Sequence, residues 1–304
     1  MREPVDQIEA IRNSETLAEL AAVVGADSEE RGYFRAKQIW ESAIAQRQEG
    51  ESPPEGLPGT TVTVEGHSIQ VHGVTHAGST AERESLREDV TRFLDRDAVV
   101  YCEQGIRPMY FEEMAGVCEM DDYLWAAATC DELDEAPDFD GFHEGFGSVS
   151  MDLGEFVTEF RERTFSMIDA GSAMYGKQFE RTLGAIAADL FADHADRAVG
   201  NSYEAFRLSR EASENPSKLH ALQQYYERAF LPQPLEREWL RRHDPKLELF
   251  SHARNERMAE YVRYHNETVE EVHVIVGAAH QHGVAYYLDQ FEKSDLDQRT
   301  FELY

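Results

Sequence analysis

The sequence predicts an α/β fold: a central mixed sheet from two related halves, a large helical insertion between them and an N-terminal helical arm. Three observations carry that expectation. Val272 to Val276 is a β-branched run, broken only by His273, that ends at Gly277, and His280 follows three residues later. The run beginning at Ile69 meets Gly73 in nearly the same way, with His76 three positions on. Elsewhere, apolar residues recur mostly at helical spacing. Short apolar runs bounded by Gly read as buried parallel strands. In an open α/β sheet, ligands bind at the carboxyl ends of such strands. Both Gly-x-x-His motifs therefore fall where a site is expected.

The chain begins with a helical arm, residues 1–50. Ile8, Ile11, Leu17, Leu20 and Val23 fall near helical spacing, and Phe34, Ile39, Trp40 and Ile44 form a second run. Glu51 to Gly59, rich in Pro and Gly, breaks the pattern. The main domain spans residues 60–304. Thr60 to Val64 alternates, and Glu65-Gly66 marks a turn before His67 to Val71, so a β-hairpin leads into the first motif. Ser79-Thr80 offers an N-cap, with Glu82 in the first turn, for a helix through about Arg96. Ala98 to Glu103 is the next strand and ends on a carboxylate. Strand, helix and strand together have the span of a βαβ unit. Glu103 is thereby expected one strand over from His76, at the same sheet edge.

Residues 108–246 read as a helical insertion without a further strand, and as a candidate lid. Segments 151–168, 177–199 and 216–230 show helical spacing, and 134–147 reads as a loop. A later helix carries Arg254, Asn255, Arg257 and Met258 and leads into the second motif strand.

Charge narrows the function classes. The chain has 59 acidic and 29 basic residues, a net charge of −30, and only five of the basic residues are Lys. Such a surface repels phosphate backbones, which argues against nucleic-acid binding. It suits concentrated salt, where self-repulsion is screened, so the sequence reads as that of a halophilic cytoplasmic protein. Three cysteines, Cys102, Cys118 and Cys130, form no Cys-x-x-Cys pair and are expected as small, at least half-buried hydrophobes. No signal peptide and no membrane span are expected. Gly-x-Ser-x-Gly, Walker A, Rossmann and His-Glu-x-x-His motifs are all missing.

A lone His at a strand end is ordinarily a satisfied cap. Two at matching strand ends favour function. With Glu103, His76 and His280 compose a ligand set for a divalent transition metal or a general acid/base site. Arg254 is placed to pair Glu103 or to hold a substrate oxygen. His72 and His282 are candidates for a supporting role, His273 reads as structural, and Phe142-His143-Glu144-Gly145 reads as a solvated loop.

Gly73-Val-Thr-His76 with Ser79, the strand ending in Glu103, Arg254-Asn255 with Met258, and Val276-Gly-Ala-Ala-His280 with Gly283 together resemble the TraB/PrgY family, which is related to TIKI. The resemblance spans residues 69–288. It implies a metal-dependent protease-like site in which His76, His280, Glu103 and Arg254 are catalytic and His76, His280 and Glu103 hold a divalent ion (Mn, Co or Zn). Erythromycin-esterase-like and ChaN-like haem-binding proteins are more distant relatives by the same resemblance. TraB members are membrane-associated, and this sequence lacks a membrane segment, which sets it apart from a pheromone-shutdown role.

The expected function is thus a divalent-metal-dependent hydrolase of peptide or ester bonds, acting on a peptide or small-molecule substrate. The alternative is a non-catalytic protein binding a small ligand or haem in the same cleft. A third is a partner-binding protein using the arm, and a homo-oligomer stays open.

Overall fold

The computed structural model describes residues 4–135, 198–200, 202–266, 271–293 and 303. The strands are β1 Thr60–Val64, β2 His67–Val74, β3 Val99–Cys102, β4 Val117–Glu119 and β5 Glu271–Gly277. They form one sheet in the order β1-β2-β5-β3-β4. β1 runs antiparallel to β2, and every other neighbouring pair is parallel. The molecule is a mixed α/β fold.

The hairpin forms where its turn allows it. Glu65 and Gly66 both have positive φ, 51° and 86°, which matches the right-handed twist of the two strands. Past β2, Ser79 accepts a hydrogen bond from the Glu82 backbone N–H and caps α4, Thr80–Leu94. The chain then returns as β3. It does not pair with β2, because β5 lies between them. Glu103 is therefore two strands from His76, not one as the sequence suggested.

β5 is the centre of the sheet, and burial on both faces explains why its run is apolar apart from His273. Val272, Val274 and Val276 face a core completed by Met258 and Val262 of α9, Arg254–His265, and by Val284 and Leu288 of α10, Ala278–Lys293. Ile275 faces the other way, into a core with Leu86 and Val90 of α4 and with Tyr110 and Phe111. Each buried Val or Leu removed from water contributes about 1.5–3 kcal/mol, so burial on both faces fixes the strand register firmly.

The remaining described helices of eight residues or more are α1 Pro4–Arg12, α2 Leu17–Val24, α3 Glu29–Gln48, α5 Asp122–Glu135, α6 Tyr203–Glu214, α7 Leu219–Ala229 and α8 Gln233–His243. A further turn, Leu249–Ala253, is π-helical and runs directly into α9. The N-terminal helices share a core with Leu235, Trp239 and Leu240 of α8. Tyr33 stacks on Trp239 with centroids 4.1 Å apart, and its hydroxyl donates to buried Glu236. The arm is packed onto the helical layer.

Two further expectations change. Strand β4 lies inside the span read as mainly helical and without a further strand, because three residues are too few for an alternating pattern to register. Cys118, on that strand, is exposed. The helices expected at 151–168 and over most of 177–199, and most of the 134–147 loop with Phe142 to Gly145, lie outside the described residues.

His72 and His273 are buried side by side in the sheet, 2.9 Å between Nε2 and Nδ1, with Phe93 stacked on His273. His72 supports the sheet rather than the site. Burial, reinforced by the charge of His273, lowers its pKa to about 4 from 6.5. Above pH 6.5 the folded and unfolded chains are both neutral there, and stability does not depend on this group. Between pH 6.5 and 4 the unfolded chain binds a proton that the folded chain refuses, so stability falls with pH. Denaturant unfolding at pH 5 should show a loss of about 2 kcal/mol relative to pH 7 from this group, reduced in His72→Gln. An equal loss in both proteins would contradict the assignment.

Candidate functional site

Glu103 is the residue on which the site converges. It follows β3 directly and is 3% exposed. Its Oε2 accepts the backbone N–H of Gly277 at 2.6 Å, and its Oε1 accepts from Arg254 Nη2 at 2.7 Å. His76 Nε2 lies 3.4 Å from Oε2, and His280 Nε2 lies 3.7 Å from Oε1. The four residues expected from sequence, His76, Glu103, Arg254 and His280, are brought together.

The motif glycines explain how two strands reach one carboxylate. Gly277 pairs in register with Val74, at the ends of β5 and β2. A Cβ on Gly277 would stand 2.7 Å from His76 Nε2 and 3.4 Å from Glu103 Oε2. Only a residue without a side chain lets the imidazole reach the carboxylate across β5. Gly73 is constrained likewise, since a Cβ there would meet the Ala278 Cα at 2.7 Å. His76 itself sits at φ 63°, in the left-handed region, where a side chain is disfavoured. Strain of this kind persists where surrounding contacts impose it, and it concentrates at functional sites. Here the contacts include Glu82, which accepts from Thr75 N–H at 2.8 Å and from the Tyr110 hydroxyl at 2.6 Å.

Electrostatics separates the two imidazoles. Burial opposes charge on His76, but the hydrogen bond and charge of Glu103 outweigh it and raise its pKa. Burial lowers His280 to about 4, with the Arg254 charge adding to the effect. Burial alone would raise Glu103, yet the imidazoles of His280 and His76 and the Arg254 guanidinium hold it below the ordinary carboxylate range. The environment thus favours the ionised form of Glu103 and the neutral form of His280, and makes His76 the more basic of the pair.

Arg254 is more committed than the sequence indicated. Its Nε donates to Asp122 at 2.8 Å, its Nη2 is shared between Glu103 and Asp122, and its Nη1 donates to the Phe250 carbonyl at 3.3 Å. The guanidinium holds the carboxylates rather than standing open to a substrate oxygen. Asp122, fully buried at the start of α5, was missed by sequence reasoning because it follows the unrecognised strand β4. The side-chain amide of Asn255, adjacent to Arg254, meets His280 Nδ1 across 2.7 Å. His282 instead contacts the Gln223 carbonyl at 3.2 Å and does not join the cluster.

Imidazole donors suit a divalent ion, but each Glu103 oxygen already has a strong donor. Among the described residues, no group of three or more His, Cys, Asp or Glu side chains is disposed to hold a metal. Among the same residues, no helix is long and apolar enough to cross a membrane.

In comparisons with known proteins, no family model, no curated protein and no solved structure matched this chain.

Gly277→Ala tests the geometry. The added methyl should push His76 from Glu103, drop the His76 pKa toward 6.5 in an NMR titration, and destabilise by about 1–3 kcal/mol through overpacking. An unshifted His76 titration would show that the close approach does not matter.

Proposed function

We propose that the chain is a hydrolase of peptide or ester bonds in which His76 and Glu103 act as a base dyad on water. One observation carries the reading. His76, whose side chain is 37% exposed, directs Nε2 at a carboxylate that is itself 4% exposed and held by Gly277 and Arg254. A carboxylate behind an imidazole fixes its tautomer and stabilises the imidazolium that forms on proton uptake. With Nε2–H given to Glu103, Nδ1 is the free basic nitrogen. It removes a proton from water as the oxygen attacks the substrate carbonyl. The same proton then passes to the leaving amine or alkoxide, which returns the imidazole to neutrality. The upward shift of His76 brings its basicity closer to a working neutral pH. Arg254 positions Glu103, and His280 closes the buried side of the cluster.

The matched strand ends support a finer reading of the fold, as two related halves. Gly73 is the penultimate residue of β2 and Gly277 the last of β5; each allows a close approach, and each precedes a helix. The substrate class is a peptide or small molecule, since the acidic surface disfavours nucleic acid.

A panel of ester and peptide substrates assayed in concentrated salt tests this directly. His76→Ala should lower the rate by about 10²–10⁴-fold, with the folded structure retained, and chelators should leave the wild-type rate unchanged. Activity abolished by chelation and restored by Mn, Co or Zn would return the site to the metal-dependent reading. No turnover of any substrate, with a Soret band on adding haemin, would favour the ligand-binding alternative.

A further inference from the structure

Behind His280 lies a buried hydrogen-bond chain that the proposed reaction does not use. His280 Nδ1 meets Asn255 Oδ1 at 2.7 Å, and Asn255 Nδ2 meets Gln233 Oε1 at 2.9 Å. Gln233 Oε1 also meets His252 Nδ1 at 3.2 Å, and His252 Nε2 meets the Ala198 carbonyl at 2.9 Å. Asn255, Gln233 and His252 are each at most 3% exposed.

The far end of this chain is a backbone carbonyl, which can only accept. His252 must therefore present Nε2–H to Ala198. In the arrangement above its Nδ1 must also donate, because Gln233 Oε1 too can only accept. Both bonds together require an imidazolium. The groups facing His252 are Glu236, Glu248 and Lys37, with the Phe230 ring edge-on at 5.3 Å. Burial dominates among these influences and holds His252 below the ordinary value. A neutral His252 has one N–H for two acceptors.

Turning the Gln233 and Asn255 side-chain amides by half a turn removes the conflict. Gln233 then donates to His252 Nδ1 and to Asn255 Oδ1, and Asn255 Nδ2 donates to His280 Nδ1. His280 is left with its proton on Nε2, facing anionic Glu103 at 3.7 Å. His252, Asn255 and the Gln233 amide nitrogen are then matched donor to acceptor with no buried charge, and the unmatched buried acceptor of the first arrangement, a costly feature, is gone.

We infer that Asn255, Gln233 and His252 are positioning residues that fix the tautomer of His280, placing its proton on Nε2 against Glu103 in the resting protein. His280 then turns the positive end of its Nε2–H toward the anionic carboxylate of the dyad, 3.7 Å away, and its Nε2 has no lone pair for a cation. The consequence for activity rests on the hydrolytic reading; the tautomer assignment does not.

Long-range ¹H–¹⁵N correlation spectra of the full-length protein, labelled at histidine and measured near pH 7.5, read the tautomer directly. His280 signals are assigned by their loss in His280→Gln. The wild type should show the Nε2–H pattern. Gln233→Glu introduces an acceptor-only group at the centre of the chain, which turns Asn255 and moves the His280 proton to Nδ1. Asn255→Asp should do the same from the adjacent position, and it serves as the second variant where Gln233→Glu fails to fold. A wild-type His280 in the Nδ1–H form, or a pattern identical in wild type and the folded variants, would overturn the inference. Hydrolysis without the Nε2–H pattern removes only this inference. The pattern without hydrolysis removes only the proposed activity.

Discussion

A buried carboxylate cannot stay ionised unless its neighbours supply donors, and that requirement at Glu103 shapes the end of the sheet. Two donors meet it, the Gly277 backbone N–H on β5 and the Arg254 guanidinium on α9. Two imidazoles then approach the same oxygens from β2 and α10. Elements far apart in sequence thus depend on one side chain. Burying a charge without such partners costs several kcal/mol, so Glu103 and its donors stand or fall together. Arg254 carries a second obligation to Asp122, which ties α5 to the cluster.

The cluster also accounts for local features that would otherwise be costly. His76 occupies left-handed backbone at φ 63°, a conformation that carries strain of order 1–3 kcal/mol. It is held there by the Glu82 contacts to Thr75 and Tyr110 on one side and by Glu103 on the other. The motif glycines are required by neighbours, not by their own backbone angles: one lies against His76 and the other against the start of α10. Spacing in the Gly-x-x-His motif therefore reflects a close approach between two strand ends.

Much of this was legible in the sequence, for identifiable reasons. The hairpin announced itself through Glu65-Gly66, α4 through the Ser79 cap, and β5 through a β-branched run that only a strand buried on both faces requires. His76, Glu103 and His280 were found because two strand ends matched and a third ended on a carboxylate, and Arg254 because it lies on the helix leading into the second motif strand and belongs to the same resemblance. Strand order was not legible. β5 enters between β2 and β3 from two hundred residues away, and no local pattern encodes a long-range insertion of that kind. Strand β4 was too short to register, and Asp122 was lost with it. The commitment of Arg254 to two carboxylates, and the chain from Asn255 to His252, depend on side chains converging from separate helices, which spacing along one segment cannot reveal.

The central claim is that Glu103 and Arg254 form one buried unit that assembles the site. A double-mutant cycle on unfolding free energy, using Glu103→Gln, Arg254→Met and the pair, tests it most directly. The account predicts that each single change costs about 3–5 kcal/mol, and that the double variant loses less than the sum by about 0.5–3 kcal/mol. Losses that add to within about 0.5 kcal/mol would contradict it, because the two groups would then be acting independently.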